Sequence, residues 1–228
     1  MDSIYDVLLQ MPLFQGLSLD HFTEILEKVR FDFRKANDGE VMAYQGDPCT
    51  EFLYIIRGTV SSHCERENPR FQIMEYLETP ELLEPYSLMG YDSSYTSTYR
   101  AYGEVNYVAI NKSFVLSTLC EYEIFRLNFL NMLSRRTQLL REKVMLPAGD
   151  SISLKVWNWM WRFCEKEYGR KLFMIRMEDL AEMVDETRLN VSKLLNEWET
   201  NNLLHLGRLR IEVPRLEAVR QFLSNKNS

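Results

Sequence analysis

Between Arg176 and Val213 the chain reads as helix, tight turn, helix and hairpin in quick succession, and few folds accommodate that order. Met177 to Met183 makes the first helix, with Leu180, Met183 and Val184 on one face and Ala181 small enough for close helix crossing. A turn follows at Val184-Asp185-Glu186. Thr187 or Asp185 can cap the second helix, because either side chain can accept from its free N–H groups. That helix runs to about Thr200 and buries Val191, Leu194, Leu195 and Trp198. Thr187, Arg188, Asn190, Ser192, Lys193 and Asn196 lie away from the apolar stripe. Hydroxyl, guanidinium, amide and ammonium groups on one exposed helical face are the set that base edges and phosphates require. Leu203 to Val213 then alternates around Gly207, as a hairpin wing does.

In this order the segments resemble the C-terminal domain of the Crp–Fnr family of bacterial transcription regulators, a winged helix-turn-helix. The matching residues are Asp179-Leu180-Ala181, Thr187-Arg188, Val191 to Leu195, and Glu199 to Leu204. The resemblance places Arg188 and Lys193 where bases or phosphates are usually contacted. Leu189 departs from it, because many relatives carry a glutamate there, and Asp185 replaces a glycine often found at the turn. The operator sequence is therefore not transferable.

The net charge of −6 argues at first against a nucleic-acid partner. The charge is unevenly placed, however. From Pro147 onward there are 13 Lys and Arg against 12 Asp and Glu, while the first 146 residues hold 14 against 21. The acidic part lies outside the segment expected to meet DNA, so a local basic surface remains available, with modest and salt-dependent affinity. No apolar run approaches the roughly 20 residues of a membrane helix, and no basic stretch precedes the first apolar residues as a secretory signal requires. Cys49, Cys64, Cys120 and Cys164 are scattered without CxxC spacing, as in a reduced cytoplasmic protein.

Residues 1–30 read as helical, with Leu19, Phe22, Ile25, Leu26 and Val29 spaced for one buried face behind a Ser18 cap. From Phe31 to Ile110 short strands alternate with turn residues at Asn37-Asp38-Gly39, Gln45-Gly46-Asp47-Pro48, Arg57-Gly58, Asn68-Pro69 and Tyr102-Gly103. Phe52 to Val60, with Gly58 in a tight turn, and Tyr44-Gln45-Gly46-Asp47 resemble cyclic-nucleotide-binding β-rolls. The expected class is α+β: an N-terminal double-stranded β-helix of jelly-roll type, a long dimerisation helix and a C-terminal winged helix-turn-helix. The resemblance divides the chain at 1–118 (effector β-roll with N-terminal helices), 119–146 (dimerisation helix) and 147–228 (DNA-binding domain).

The helix from about Cys120 to Leu146 carries Phe129, Leu133, Leu140 and Val144 at heptad-like spacing, with Leu127 and Leu130 beside them. One reading packs this stripe on its own domain. The family reading makes it an intersubunit coiled coil and the chain a homodimer. Pro147-Ala148-Gly149-Asp150 breaks the helix, and Ser151 to Glu165 forms the next one.

Nucleotide-binding relatives hold the phosphate with a Gly-Glu pair and, about a dozen residues later, an arginine followed by Ser or Thr. Here Glu84-Pro85 and Tyr95-Thr96 stand at those places. Thr96 keeps the hydroxyl, but the cation is missing and Pro85 removes a backbone donor. Arg100 could swing in as a substitute. Cyclic AMP is therefore not the expected ligand; Glu84, Tyr86, Tyr95, Thr96 and Arg100 are the candidate pocket for another effector, and the other reading of this Tyr-Ser-Thr segment is plain strand packing. The dispersed cysteines do not suit an iron–sulfur cluster, and the isolated His21, His63 and His205 do not suit haem, so no cofactor is expected.

No G-x-S-x-G, H-E-x-x-H, P-loop or dinucleotide fingerprint occurs, so an enzyme is not expected. The reading is a DNA-binding transcription regulator with duplex DNA and a second copy as partners. RNA polymerase and a small effector are allowed by the resemblance, and a membrane partner is not expected. The alternative is a β-roll sensing module whose C-terminal domain binds protein instead of DNA.

Overall fold

The computed structural model of the chain describes residues 8–65, 70–147 and 149–226. Three expectations, the helix over 1–7, the Asn68-Pro69 turn and the Ala148 hinge position, lie outside them. The described chain divides into two compact units, Met1–Val60 with Glu78–Leu140 and Ser61–Leu77 with Arg141–Ser228.

The first unit opens on helix α1 (Leu19–Lys28), capped by Ser18, whose hydroxyl accepts from the His21 N–H. Phe22 and Ile25 are buried as expected, whereas Leu19 is exposed, because it sits at the first position of the helix beyond the edge of the apolar face. Phe14 joins this helix to the body of the unit, stacking edge-on to Phe22 and tilted against Phe31 and Phe125. The strands of this unit are β1 (Phe31–Ala36), β2 (Val41–Ala43), the greater part of β3 (Glu51–His63), β5 (Glu81–Leu83) and β6 (Thr98–Asn111), while β4 (Phe71–Glu78) falls almost wholly in the second unit. Three pairings in the first unit are antiparallel: β1 with β6 from Phe31↔Ile110 to Ala36↔Val105, β2 with β6, and β3 with β5 at Leu53↔Leu83. Helices α2 (Lys112–Ser117) and α3 (Glu123–Val144) follow.

Two expected turns are not turns. Gly58 and Gly103 lie inside the continuous strands β3 and β6, each with positive φ. A Cβ on Gly58 would stand 2.5 Å from the Glu104 carbonyl oxygen, so glycine here permits the close approach of β3 to β6.

The second unit is built on α4 (Ile152–Phe163), β7 (Lys171–Ile175), α5 (Met177–Met183), α6 (Arg188–Thr200), β8 (His205–Gly207), β9 (Arg210–Val213) and α7 (Leu216–Lys226). Its sheet has the order β4-β7-β9-β8. Strand β4, a hundred residues upstream, pairs with β7 from Phe71↔Ile175 to Glu75↔Lys171. Strand β7 pairs with β9, and β9 with β8. The core gathers Val156, Trp159, Met160, Phe173, Leu180, Val191, Leu194, Leu195, Trp198 and Val213. Burying each aliphatic side chain of this set contributes roughly 1.5–3 kcal/mol.

Candidate nucleic-acid interface

Helix α6 starts where the side-chain chemistry dictates. The Thr187 hydroxyl accepts from the Asn190 N–H, which identifies Thr187 as the cap and contributes about 1 kcal/mol. Asp185 has another role. Its φ of 51° places it in the left-handed region, which Asp tolerates better than most residues, and this closes the turn between α5 and α6 without the usual glycine. Lys155 on α4 fastens that turn, donating to the Asp185 carbonyl and to the Glu186 carboxylate at 2.8 Å. The hydrogen bond to Glu186 pushes the Lys155 ammonium above its ordinary range. At the far end Asn202 turns left-handed, the Leu203 N–H reaches back to the Trp198 carbonyl, and the Glu199 carboxylate accepts from the Leu206 N–H. The helix is thus tied to both the turn and the wing.

One face of α6 buries Val191, Leu194, Leu195 and Trp198. The opposite face exposes Thr187, Arg188, Leu189, Asn190, Lys193 and Asn196, with Ser192 half-buried at its edge. The six polar residues expected at this site therefore stand on one element, but they are not equally available. Thr187 is committed to the cap, and the Asn196 amide donates to the Ser192 carbonyl at 2.8 Å. Arg188 lies 2.7 Å from the Glu178 carboxylate on α5 with both side chains mostly exposed, an ion pair weak enough to exchange for a phosphate or a base. The hairpin turn adds a cation that the sequence reading passed over. Arg208 sits exposed at the wing tip between Gly207 and Leu209, whose φ is 57°. The signal was a basic residue inside a two-residue hairpin loop. Exposed His205 pairs with Glu212 in the ladder.

The residues expected to line an effector pocket do not converge as a group. Glu84 and Thr96 meet. The Thr96 N–H and hydroxyl donate to the Glu84 carboxylate, which also takes the hydroxyls of Ser87 and Tyr99. Tyr86 lies under the Arg136 guanidinium, 4.5 Å from the ring centre. The Tyr95 hydroxyl donates to the Glu51 carbonyl, and burial, followed by the neighbouring Cys49, pushes its phenol up. Arg100 does not swing toward this place. It donates to the Gly39 carbonyl at 2.6 Å, because its strand position pairs with Val41 at the edge held by β2.

The expected dimer stripe also needs correction. Phe129 is buried in its own unit, edge-on to Phe52 at 5.4 Å, and is not available to a partner. Heptad spacing alone could not tell the inner face of α3 from the outer one. Leu130 and Leu140 are exposed, Val144 is 77% exposed, and Leu133 is half-buried. With Thr137 between them they form a three-four stripe on the outer face.

The model of the cyclic nucleotide-binding domain family matches residues 33–122, and that of the Crp-like helix-turn-helix domain matches residues 154–222. The chain belongs to the Crp–Fnr family. It is a DNA-binding transcription regulator of that type. Among solved structures this Crp–Fnr chain is similar to the catabolite activator protein of Thermus thermophilus, at 19% identity over 92% of this chain and 97% of that one, with a TM-score of 0.49. It is similar to DNR of Pseudomonas aeruginosa at 17% identity, covering 97% and 99%, with a TM-score of 0.48. FixK2 of Bradyrhizobium japonicum follows at 11% identity, covering 85% and 97%, with a TM-score of 0.49. No curated protein matches the sequence. Among the described residues of this Crp–Fnr chain no helix is long and apolar enough to cross a membrane.

Proposed function

We propose that this regulator acts in the cytoplasm as a homodimer that reads a near-palindromic operator through α6 and the wing of each copy, without cyclic AMP. The division at 1–118, 119–146 and 147–228 is the functional one in this reading: effector β-roll, dimerisation helix, DNA-binding domain. The observation that carries it is the exposed face of α6, where Arg188, Asn190 and Lys193 stand opposite a fully buried apolar stripe. Arg188 reads a base edge, Lys193 contacts a phosphate or a base, and Arg208 meets the backbone from the wing. Thr187, Ser192 and Asn196 set the helix start and its surface. The outer stripe of α3 supports the dimer, because the exposed Leu130, Leu140 and Val144 and the half-buried Leu133 find cover against the same stripe of a second copy. RNA polymerase is the further partner that such a regulator meets.

Selection of bound sequences from random duplex DNA tests the proposal. A pair of inverted half-sites about one helical turn apart is expected. No enrichment at any salt concentration contradicts it.

A further inference from the structure

The most unusual group in the first unit is a carboxylate with no charge partner. Glu84 is 2% exposed, and among the described residues it makes no ion pair. Its carboxylate is satisfied by four neutral donors. The Thr96 N–H lies 2.9 and 3.1 Å from its two oxygens. The Thr96 and Tyr99 hydroxyls stand 2.9 Å from Oε1, and the Ser87 hydroxyl 2.6 Å from Oε2. Four donors converging on one side chain call for a group rich in acceptor sites, and the two oxygens of a carboxyl group supply them.

The backbone points the same way. Glu84 has φ 36° and ψ 54°, a left-handed conformation that glycine adopts freely and glutamate rarely does. The chain holds a glutamate in that conformation, and its side chain reaches both Ser87 three residues ahead and Thr96 twelve residues ahead. The donor set therefore specifies an oxyanion, and the chain supplies one from within.

We infer that Ser87, Thr96 and Tyr99 form an oxyanion cage whose resident ligand is the Glu84 side chain, and that a free carboxylate of acetate size, or inorganic phosphate, enters only when the Glu84 carboxylate is removed. A tethered carboxylate competes at high effective concentration with any free anion for the same donors. It also repels the phosphodiester of a cyclic nucleotide. The inference deepens the proposal that the β-roll works without cyclic AMP, and rests on it for the identity of the excluded ligand.

The test is thermal unfolding of the full chain and of Glu84→Ala and Glu84→Gln, titrated with sodium acetate, formate or phosphate at ionic strength held constant with chloride. Glu84→Ala removes the acceptor shared by four donors, and its Tm should fall by about 5–10 °C. Acetate or phosphate should restore most of that loss while leaving the natural protein unmoved; which of the two restores more assigns the cage to planar or tetrahedral anions. Glu84→Gln keeps the cage filled, so its Tm should fall less and should not respond to anions. A Glu84→Ala protein as stable as the natural one, or one destabilised and indifferent to all three anions, overturns the cage. Should Glu84→Ala fail to fold, a cycle of Glu84→Gln with Tyr99→Phe replaces it: strongly non-additive shifts support the cage, additive ones overturn it. Cyclic AMP raising the Tm of the natural protein would instead overturn the nucleotide-free reading, an outcome separate from the anion response of the variant.

Discussion

Glu75 on β4 and Lys171 on β7 form a buried ion pair, with the ammonium 2.8 Å from the carboxylate and the two side chains 9% and 0% exposed. They face each other in the ladder, and the same carboxylate accepts from the N–H groups of Glu165 and Lys166. One residue from the middle of the β-roll sequence thus holds both the loop after α4 and the first strand of the winged unit. The Arg70 guanidinium, just before β4, adds contacts to Asp179 and Glu182 on α5. Helix α5, which packs beside α6, is thus braced by a segment that precedes it by a hundred residues.

Removing one partner of this pair strands a charge in the core. Lys171→Met should destabilise the second unit by about 3–5 kcal/mol, and adding Glu75→Gln should recover much of that loss because the amide oxygen still accepts one N–H. All four tryptophans, Trp157, Trp159, Trp161 and Trp198, lie in this unit, so urea unfolding followed by their fluorescence reads it alone. A Lys171→Met protein within about 0.5 kcal/mol of the natural one, the scale of a surface change, would show that the pair carries no such weight.

The four free thiols should differ in reactivity. Burial, and then the neighbouring Glu75, push the Cys164 thiol far up, and burial raises that of Cys49. Cys64 and Cys120 are only half-buried. Burial also raises the Cys120 thiol; thiolate is the reacting species, so alkylation of the folded protein at pH 8 should mark Cys64 first and Cys164 only on unfolding. Peptide mapping that finds Cys164 labelled as fast as Cys64 contradicts the packing described for β4 and α4.

Dimerisation should depend on the outer stripe of α3. Leu133→Glu puts a charge into the apolar contact and should leave a monomer at micromolar concentration. Phe129→Ala should instead cost stability within the unit, because its ring packs on Phe52. Light scattering distinguishes the two; a natural protein that is already monomeric, or a Leu133→Glu protein that stays dimeric, removes this stripe from the account.

Cyclic AMP and cyclic GMP should give no heat on titration at micromolar protein. The phosphate would have to displace Glu84 from its donors, and Arg100 is engaged with Gly39. Low-micromolar binding of either nucleotide would mean that another cation serves the site.

The winged helix-turn-helix was legible because its signals are local. The helical period fixed Met177–Met183 and the helix to Thr200, the cap chemistry fixed Thr187, and the buried stripe of Val191, Leu194, Leu195 and Trp198 followed from spacing. What was not legible depends on contacts distant in sequence. Nothing in Phe71 to Glu75 announces a partner at Lys171 to Ile175, because an alternating strand is compatible with many neighbours. Gly58 signals a positive φ equally well in a turn and in a strand pressed against β6, and only the fold distinguishes them. Glu84 stands where relatives carry the glycine of the Gly-Glu pair, and nothing local in the sequence shows that its side chain turns inward to meet Thr96.

The central claim is that α6 reads DNA, and its most direct test compares the natural protein with Arg188→Ala and Lys193→Ala on a selected operator and on a scrambled duplex over a range of salt. Arg188→Ala should lose roughly 1–3 kcal/mol on the operator, lose less on the scrambled duplex, and relax the preference at one base pair. Lys193→Ala, if its contact is to phosphate, should weaken both duplexes alike and shallow the salt dependence by about one counterion. Unchanged affinity and unchanged base preference in both variants would contradict the assignment of α6 as the recognition helix.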